Sequence, residues 1–415
     1  MNNVFFLVML TYALVGFLLP TNILCMYATG LGLIIINAKM IGNSLLKQNF
    51  PMFFISIFIM SYCVEPLGYL FGFKQHIIRI TTAENTDTVF FASHCLLFFL
   101  LFLSTFITYE VPNDVRLVKQ TILVENQLGF WLALSIAFLC VIIGVSGKNI
   151  FESGGYGRGE SVRSSVFEYS IIFITCALIY ARKSNERFLV YLVCLIFVVK
   201  DLLYGGRIST VMLLISIFLI RFFNNFKFKH VLLAVALGYI FFNFWGYFRS
   251  GVDSSGFTLS KKDGNASFVF YASMRLHYMI NIGALTLEDR LKSLVYFFMS
   301  IFVPSNFLPS LANLSSYKQN LYYSGGGGLI STFSYCWGWA AGVGFFALWV
   351  VKVINSFFYS NSVYWKYYAL LVIVSTPRWF AYYPIQIFKF ALYGVLIFYI
   401  LNSLIPKTIN IENEK

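Results

Sequence analysis

Long apolar runs separated by short polar interruptions fill almost the whole chain. Runs at about 3–19, 21–38, 51–72, 89–109, 128–145, 166–181, 188–203, 208–222, 231–248, 329–351, 363–381 and 385–404 predict twelve helices, many near the roughly 20 residues that span a bilayer. An outer-membrane barrel would alternate apolar and polar residues in segments of about ten, and the stretch Ile171–Ile179 does not alternate. The pattern therefore predicts an all-α polytopic integral membrane protein. Met1, Asn2 and Asn3 supply no charged n-region before the first run, so Val4–Leu19 is expected to be a retained helix and not a signal peptide.

The same pattern sets the domain organisation. Residues 1–248 read as nine helices with short loops, 249–328 as one long segment, and 329–415 as three further helices and a tail. Within the long segment, Arg249–Ser267 is polar and Phe268–Leu287 is mostly apolar but carries Arg275 and His277. Leu294–Val303 is too short to cross, and Pro304, Pro309 and the run Ser324–Gly328 follow. This predicts external helices with a re-entrant or interfacial piece. A rival parse makes 268–287 and 291–311 a spanning hairpin, which preserves the parity of every other helix.

Loop charges orient the bundle. The loops 182–187 and 221–229 are short and basic, so the positive-inside rule assigns them to the cytoplasm, together with Lys39, Lys47, Arg116, Lys119, Lys352, Lys366 and Lys407. Both termini then lie inside. The arginines break the rule that the lysines follow: Arg79, Arg158, Arg163, Arg207, Arg249, Arg275, Arg290 and Arg378 all fall on the outer side. A guanidinium's rigid fork suits bidentate contacts to phosphate or carboxylate, so this placement points to an anionic ligand at the outer leaflet, most simply a lipid-linked diphosphate.

Composition narrows the classes further. Hydrophobic residues make up 59% of the chain and charged ones 11%, with mean hydropathy +0.75, which no soluble domain of this length shows. The net charge of +13 is scattered through loops, with no basic domain to bind nucleic acid. Seven cysteines lie singly inside apolar runs, and no CxxC pair or Cys/His cluster predicts a disulfide or a metal site. No cofactor is expected.

Five ionisable residues fall within the predicted spans: Glu65, Glu168, Lys200, Asp201 and Lys389. Each costs about 2.5–3.5 kcal/mol at mid-helix on insertion scales. Taken singly, each reads as a snorkelling or ion-paired residue near an interface. All five fall toward the outer end of their helix, which favours a shared polar cavity on that side. A transporter would place such charges near the midplane instead. Outer aromatics such as Tyr322, Tyr323, Trp379 and Tyr382 are candidates for stacking on sugars.

Two motifs stand out. Gly205-Gly206-Arg207 lies in a turn between two helices, where glycines let backbone approach a ligand and aim one guanidinium at it. Gly325–Gly328 leads into a helix carrying Ser331, Ser334, Gly338 and Gly342. With the layout of the whole chain, these features resemble the Wzy-type O-antigen polymerases, the oligosaccharide repeat-unit polymerases of bacterial envelopes, and the related O-antigen ligases. Many members carry a glutamate near the position of Ser334 and Tyr335, and this chain does not.

The resemblance implies a GT-C-like architecture in a bacterial inner membrane, with the working face periplasmic. It implies glycosyl transfer between undecaprenyl-diphosphate-linked oligosaccharides, in contact with the lipid bilayer and with a chain-length regulator as a candidate partner. Arg207, Arg249, Arg275, Arg378 and Lys389 are the candidate diphosphate ligands. His277 is the first candidate base, with Asp201 and Glu168 as carboxylate alternatives, and Arg207 would stabilise the departing diphosphate. Glu65, Glu168, Lys200, Gly205 and Gly206 would support them. The rival expectations are an O-antigen ligase, a flippase or transporter of the same lipid-linked sugars, and a non-catalytic assembly subunit.

Overall fold

A computed structural model of the chain describes residues 3–18, 22–71, 83–111, 126–147, 161–223, 228–249, 265–304, 307–312, 328–338 and 340–404. Among them, each of the twelve apolar runs contains helix. The helices are α1 (Asn3–Val15), α2 (Ile23–Leu46), α3 (Phe50–Leu70), α4 (Ala83–Phe106), α5 (Gln127–Ile143), α6 (Ser165–Tyr180), α7 (Ser184–Leu203) and α8 (Ile208–Ile217). Then come α9 (Phe228–Arg249), α10 (Asn265–Asn281), α11 (Leu287–Met299), α12 (Ala340–Tyr359), α13 (Val363–Val374), α14 (Thr376–Ala381) and α15 (Gln386–Ser403). Ile23–Leu46, Phe50–Gly68, Thr86–Phe106, Gly342–Tyr359 and Gln386–Ser403 are long and apolar enough to cross a bilayer, and shorter apolar helices accompany them. The chain is a helical membrane protein.

Three departures from the apolar pattern have local causes. The run 363–381 is two helices, because Pro377 has no N–H to give to the carbonyl of Ile373. Side chains take the freed carbonyls: Thr376 Oγ1 donates to Ile373 O at 2.8 Å, and Trp379 Nε1 to Val372 O at 2.9 Å. The run 329–351 is also broken. A π-helix, Ser331–Cys336, is followed by Gly338 at φ 64° before α12 begins. Arg290 seals that break, its Nε donating to Cys336 O at 2.5 Å. Finally, 146–165 is not merely a loop between helices. Val145–Gly147 pairs antiparallel with Ser161–Arg163, a short ribbon that joins α5 to α6.

The long segment holds a helical pair. α10 and α11, of 17 and 13 residues, are joined through Gly283 at φ 70°, and a capping box between Thr286 and Asp289 starts α11. α10 packs on α3, α4, α14 and the π-helix.

Elsewhere α2 packs along α3 and α4, α4 along α12, α5 along α6, and α13 along α15. Within a bilayer such contacts depend on close fit more than on water exclusion. Gly394 of α15 lies so near α13 that a Cβ there would collide with Leu371 Cδ1.

One end of the bundle is fastened by caps. Asn126 accepts from Gly129 N at 2.7 Å and donates to Leu401 O at 2.7 Å, tying the start of α5 to the end of α15. Glu186 accepts from Arg182 N and Lys183 N at the start of α7. Arg221 donates to Leu178 O and Ala181 O, placing a cation on the C-terminal carbonyls of α6. Lys366, expected beside a loop, is buried in the first turn of α13.

Candidate functional site

The opposite end carries the expected polar residues. The first turn of α6, the last turn of α7, the start of α8 and the turn before α15 all lie there, because α6, α7 and α8 run antiparallel in succession and Glu168 contacts Arg378.

Between α7 and α8 the turn is built by its own sequence. Gly205 adopts φ 76°, a conformation that disfavours any side chain, and its N–H donates to Leu202 O at 2.9 Å. Gly206 N–H donates to Asp201 O at 2.6 Å. The fully buried Asp201 carboxylate then reaches across the turn, and its Oδ2 accepts from Thr210 N at 3.0 Å and Thr210 Oγ1 at 2.7 Å. A negative group is favoured at that position, since the first N–H groups of α8 have no intrahelical partner. Asp201, offered by the sequence as an alternative base, thus bridges the end of α7 to the first turn of α8, on either side of Arg207. Arg207 itself is half-buried, and its carbonyl accepts from Val211 N at 3.0 Å.

Lys200 has a comparable duty. Its Nζ donates to Val141 O at 3.0 Å and Ile142 O at 2.5 Å, the C-terminal carbonyls of α5. It is directed at backbone carbonyls, and it locks α7 to α5.

The hub of this end is α14. It packs on α3, α8, α10, α13 and α15, so the break at Pro377 brings Arg378 to where five helices meet. Arg378 Nη2 lies 2.6 Å from Glu168 Oε2, with the two side chains 18% and 20% exposed. The guanidinium also lies over the Tyr382 ring, 5.3 Å from its centre. Gly328, the last glycine before the π-helix, reaches the same place, since at φ 58° it donates its N–H to Tyr382 O at 3.0 Å. Lys389, one turn into α15, donates to Val303 O at 3.2 Å and lies 5.9 Å from the Tyr393 ring centre.

Other expected residues part company. Arg275 and His277 are both on α10, but two residues on a helix are separated by about 200° and face away from each other. His277 faces the π-helix: its ring stands edge-on to Tyr335 at 5.7 Å, and its Nε2 is 3.2 Å from Asn281 Nδ2. Ser273, one turn earlier on that face, meets Ser331 at 3.1 Å. Arg275 is half-buried on the other side of α10. Trp379, proposed as a sugar platform, is fully buried with its indole N–H bonded to Val372 O, so it has no face to offer. Arg249 ends α9, and its side chain lies outside the described residues, as do Arg79, Arg158, Tyr322, Tyr323 and Gly325–Gly327.

Two residues that sequence reasoning passed over belong to this end. Tyr62, 1% exposed, lies one turn before Glu65 on α3 and packs edge-on against Phe380 of α14 at 4.9 Å. Its hydroxyl is buried with no hydrogen-bond partner among the described residues. Gln386 opens α15 with a buried, unpartnered Oε1. The signal for both was a polar group in an apolar run near an already suspected charge. Glu65 is half-buried on α3, within electrostatic reach of Tyr62.

The arrangement can hold an anion. Arg207, Arg378 and Lys389 are cationic groups on adjoining elements at one end, with Glu168 balancing one of them. Among the described residues, no group of three or more His, Cys, Asp or Glu is placed to bind a metal ion. No protein-family model matches the chain, and no curated protein or solved structure matches it either.

Proposed function

We propose that this chain is a membrane-embedded glycosyltransferase of the repeat-unit polymerase type. It would pass a growing glycan from one lipid diphosphate carrier to the next lipid-linked unit at the outer face of a bacterial inner membrane. The supporting observation is the Pro377 break, which presents Arg378 at a five-helix junction that includes α8, the helix that follows Arg207. In the proposal the chain crosses twelve times with both ends cytoplasmic, and the Arg378 end is periplasmic.

The chemistry follows from charge. When the carrier leaves, its diphosphate takes up negative charge, which Arg207 and Arg378 stabilise as bidentate donors. Each charged hydrogen bond contributes about 1.5–3 kcal/mol. The acceptor hydroxyl needs a proton acceptor, and His277 is assigned that role, oriented by Asn281 and Tyr335. A flippase is disfavoured because these charges lie toward the two ends of the bundle, Glu168, Arg207, Arg378 and Lys389 at one and Glu186, Arg221 and Lys366 at the other, instead of lining its full depth.

The test is the glycan ladder made in the native host by Arg207→Lys and Arg378→Lys variants. Collapse to single repeat units attached to their final acceptor supports the polymerase. Loss of all attached glycan indicates ligation or transport, and ladders of wild-type length from both variants would remove the arginines from the reaction.

A further inference from the structure

Arg378 already has an anion in its grip, and the carboxylate that supplies it has somewhere else to go. Resting on the function proposed above, we infer that Glu168 is a resident counter-ion of Arg378. It occupies the position of a phosphoryl oxygen when the site is empty and swings away when a diphosphate arrives.

Four observations lead there. Arg378 Nη2 meets Glu168 Oε2 at 2.6 Å, between side chains that are both about four-fifths buried. An arginine at such a position needs a negative partner in the empty protein, because a buried charge left alone is strongly destabilising. Glu168 lies in the first turn of α6, and Ser164 at the cap position makes no side-chain bond to that turn. When released, the carboxylate therefore remains at the positive end of the α6 dipole, where a negative charge is favoured. Arg378 is likewise supported without it, since the Tyr382 ring lies beneath the guanidinium at 5.3 Å. Both partners can separate without being stranded, which a purely structural ion pair would not require.

Adjacent groups fit the exchange. Tyr169, next to Glu168, is hydrogen-bonded by the Gln386 side chain, and the remaining Gln386 oxygen is a buried acceptor with no partner among the described residues. A hydroxyl-bearing ligand entering beside Arg378 would satisfy it. Glu168 then has two effects. It balances and aims the empty guanidinium, and it competes with the spent carrier diphosphate, promoting its release.

The experiment measures binding of farnesyl diphosphate, and of inorganic pyrophosphate, to the purified full chain in detergent. Wild type is compared with Glu168→Gln, Glu168→Ser and Arg378→Gln, and each melting temperature is recorded. Removing a competing carboxylate while keeping its shape predicts that Glu168→Gln binds farnesyl diphosphate about tenfold more tightly, and that Arg378→Gln binds it about tenfold or more weakly. Parallel gains for pyrophosphate assign the exchange to the diphosphate alone. A gain confined to farnesyl diphosphate assigns it to the lipid headgroup in place. If Glu168→Gln and Glu168→Ser both melt normally yet bind no more tightly than wild type, the counter-ion role is wrong while the diphosphate site survives through the Arg378→Gln loss. If both glutamate variants lose their folded transition, the pair is structural and the inference fails. Absence of diphosphate binding to every protein, wild type included, defeats the functional reading as well.

Discussion

Asp201 separates a catalytic carboxylate from an architectural one. The side chain is fully buried, and its Oδ2 accepts two bonds, from Thr210 N and Thr210 Oγ1. Replacement by alanine deletes both and leaves two donors buried. At about 1.5–3 kcal/mol for each bond to a charged group, the loss is about 3–6 kcal/mol. Asparagine keeps a carbonyl oxygen that can take both donors and loses only the charge and its favourable place at a helix N-terminus, a cost of about 1–2 kcal/mol. Thr210→Val should resemble one of the two bonds, and combining it with Asp201→Ala should add little, since both report the same contact. The assay is thermal unfolding of the purified protein in detergent, paired with the glycan ladder in the native host. The account predicts a graded series in stability, Ala worst and Asn mild, with Asp201→Asn retaining most polymer. An Asn variant that melts like wild type but makes no polymer would show that the carboxylate acts in the chemistry, and the brace argument would be refuted.

Further outcomes follow from single contacts. Lys200→Met removes a cation from the C-terminal carbonyls of α5 and should lower stability by about 1–2 kcal/mol, read as a fall in melting temperature. Gly338→Ala places a side chain at φ 64°, costing about 1–2 kcal/mol, and crowds Arg290, so the break before α12 should loosen and melt earlier. Gly394→Leu should force the Leu371 and Ile172 side chains aside and lower the melting temperature, whereas a wild-type melting curve would show that this crossing is wider. Glu186 lies in the first turn of α7, beside basic neighbours. Burial opposes its charge, but the N–H groups of Lys183 and Arg182 and the nearby charges of Lys183 and Arg187 prevail and hold its carboxyl below the ordinary 4.5. The stabilisation is complete above that value and is lost as pH falls through the depressed one. The melting gap between wild type and Glu186→Gln should therefore close under acid conditions.

Much of the fold was legible because apolar runs of bilayer length leave few alternatives to helix. The breaks were harder. Pro377 announces one of them in the sequence, yet its consequence depends on Thr376 and Trp379 supplying side-chain donors to the freed carbonyls. Gly338 needs Arg290, 48 positions earlier, to give its turn a purpose. The charged residues of the Arg378 end were all visible, but not their duties. Lys200 and Asp201 are neighbours in sequence, and only the fold reveals that one holds α5 while the other holds α8. The separation of Arg275 from His277 was available from helical spacing alone. The meeting of Glu168 with Arg378 was not, since 210 positions and several helices lie between them.

Polymer formation by the purified chain tests the central claim most directly. Reconstituted protein supplied only with oligosaccharide units on a lipid diphosphate, without nucleotide sugar, should extend them into a ladder. Arg378→Ala should leave the units single while remaining folded. Units that stay single with the wild-type protein, or a ladder that persists in the Arg378→Ala variant, would contradict the account.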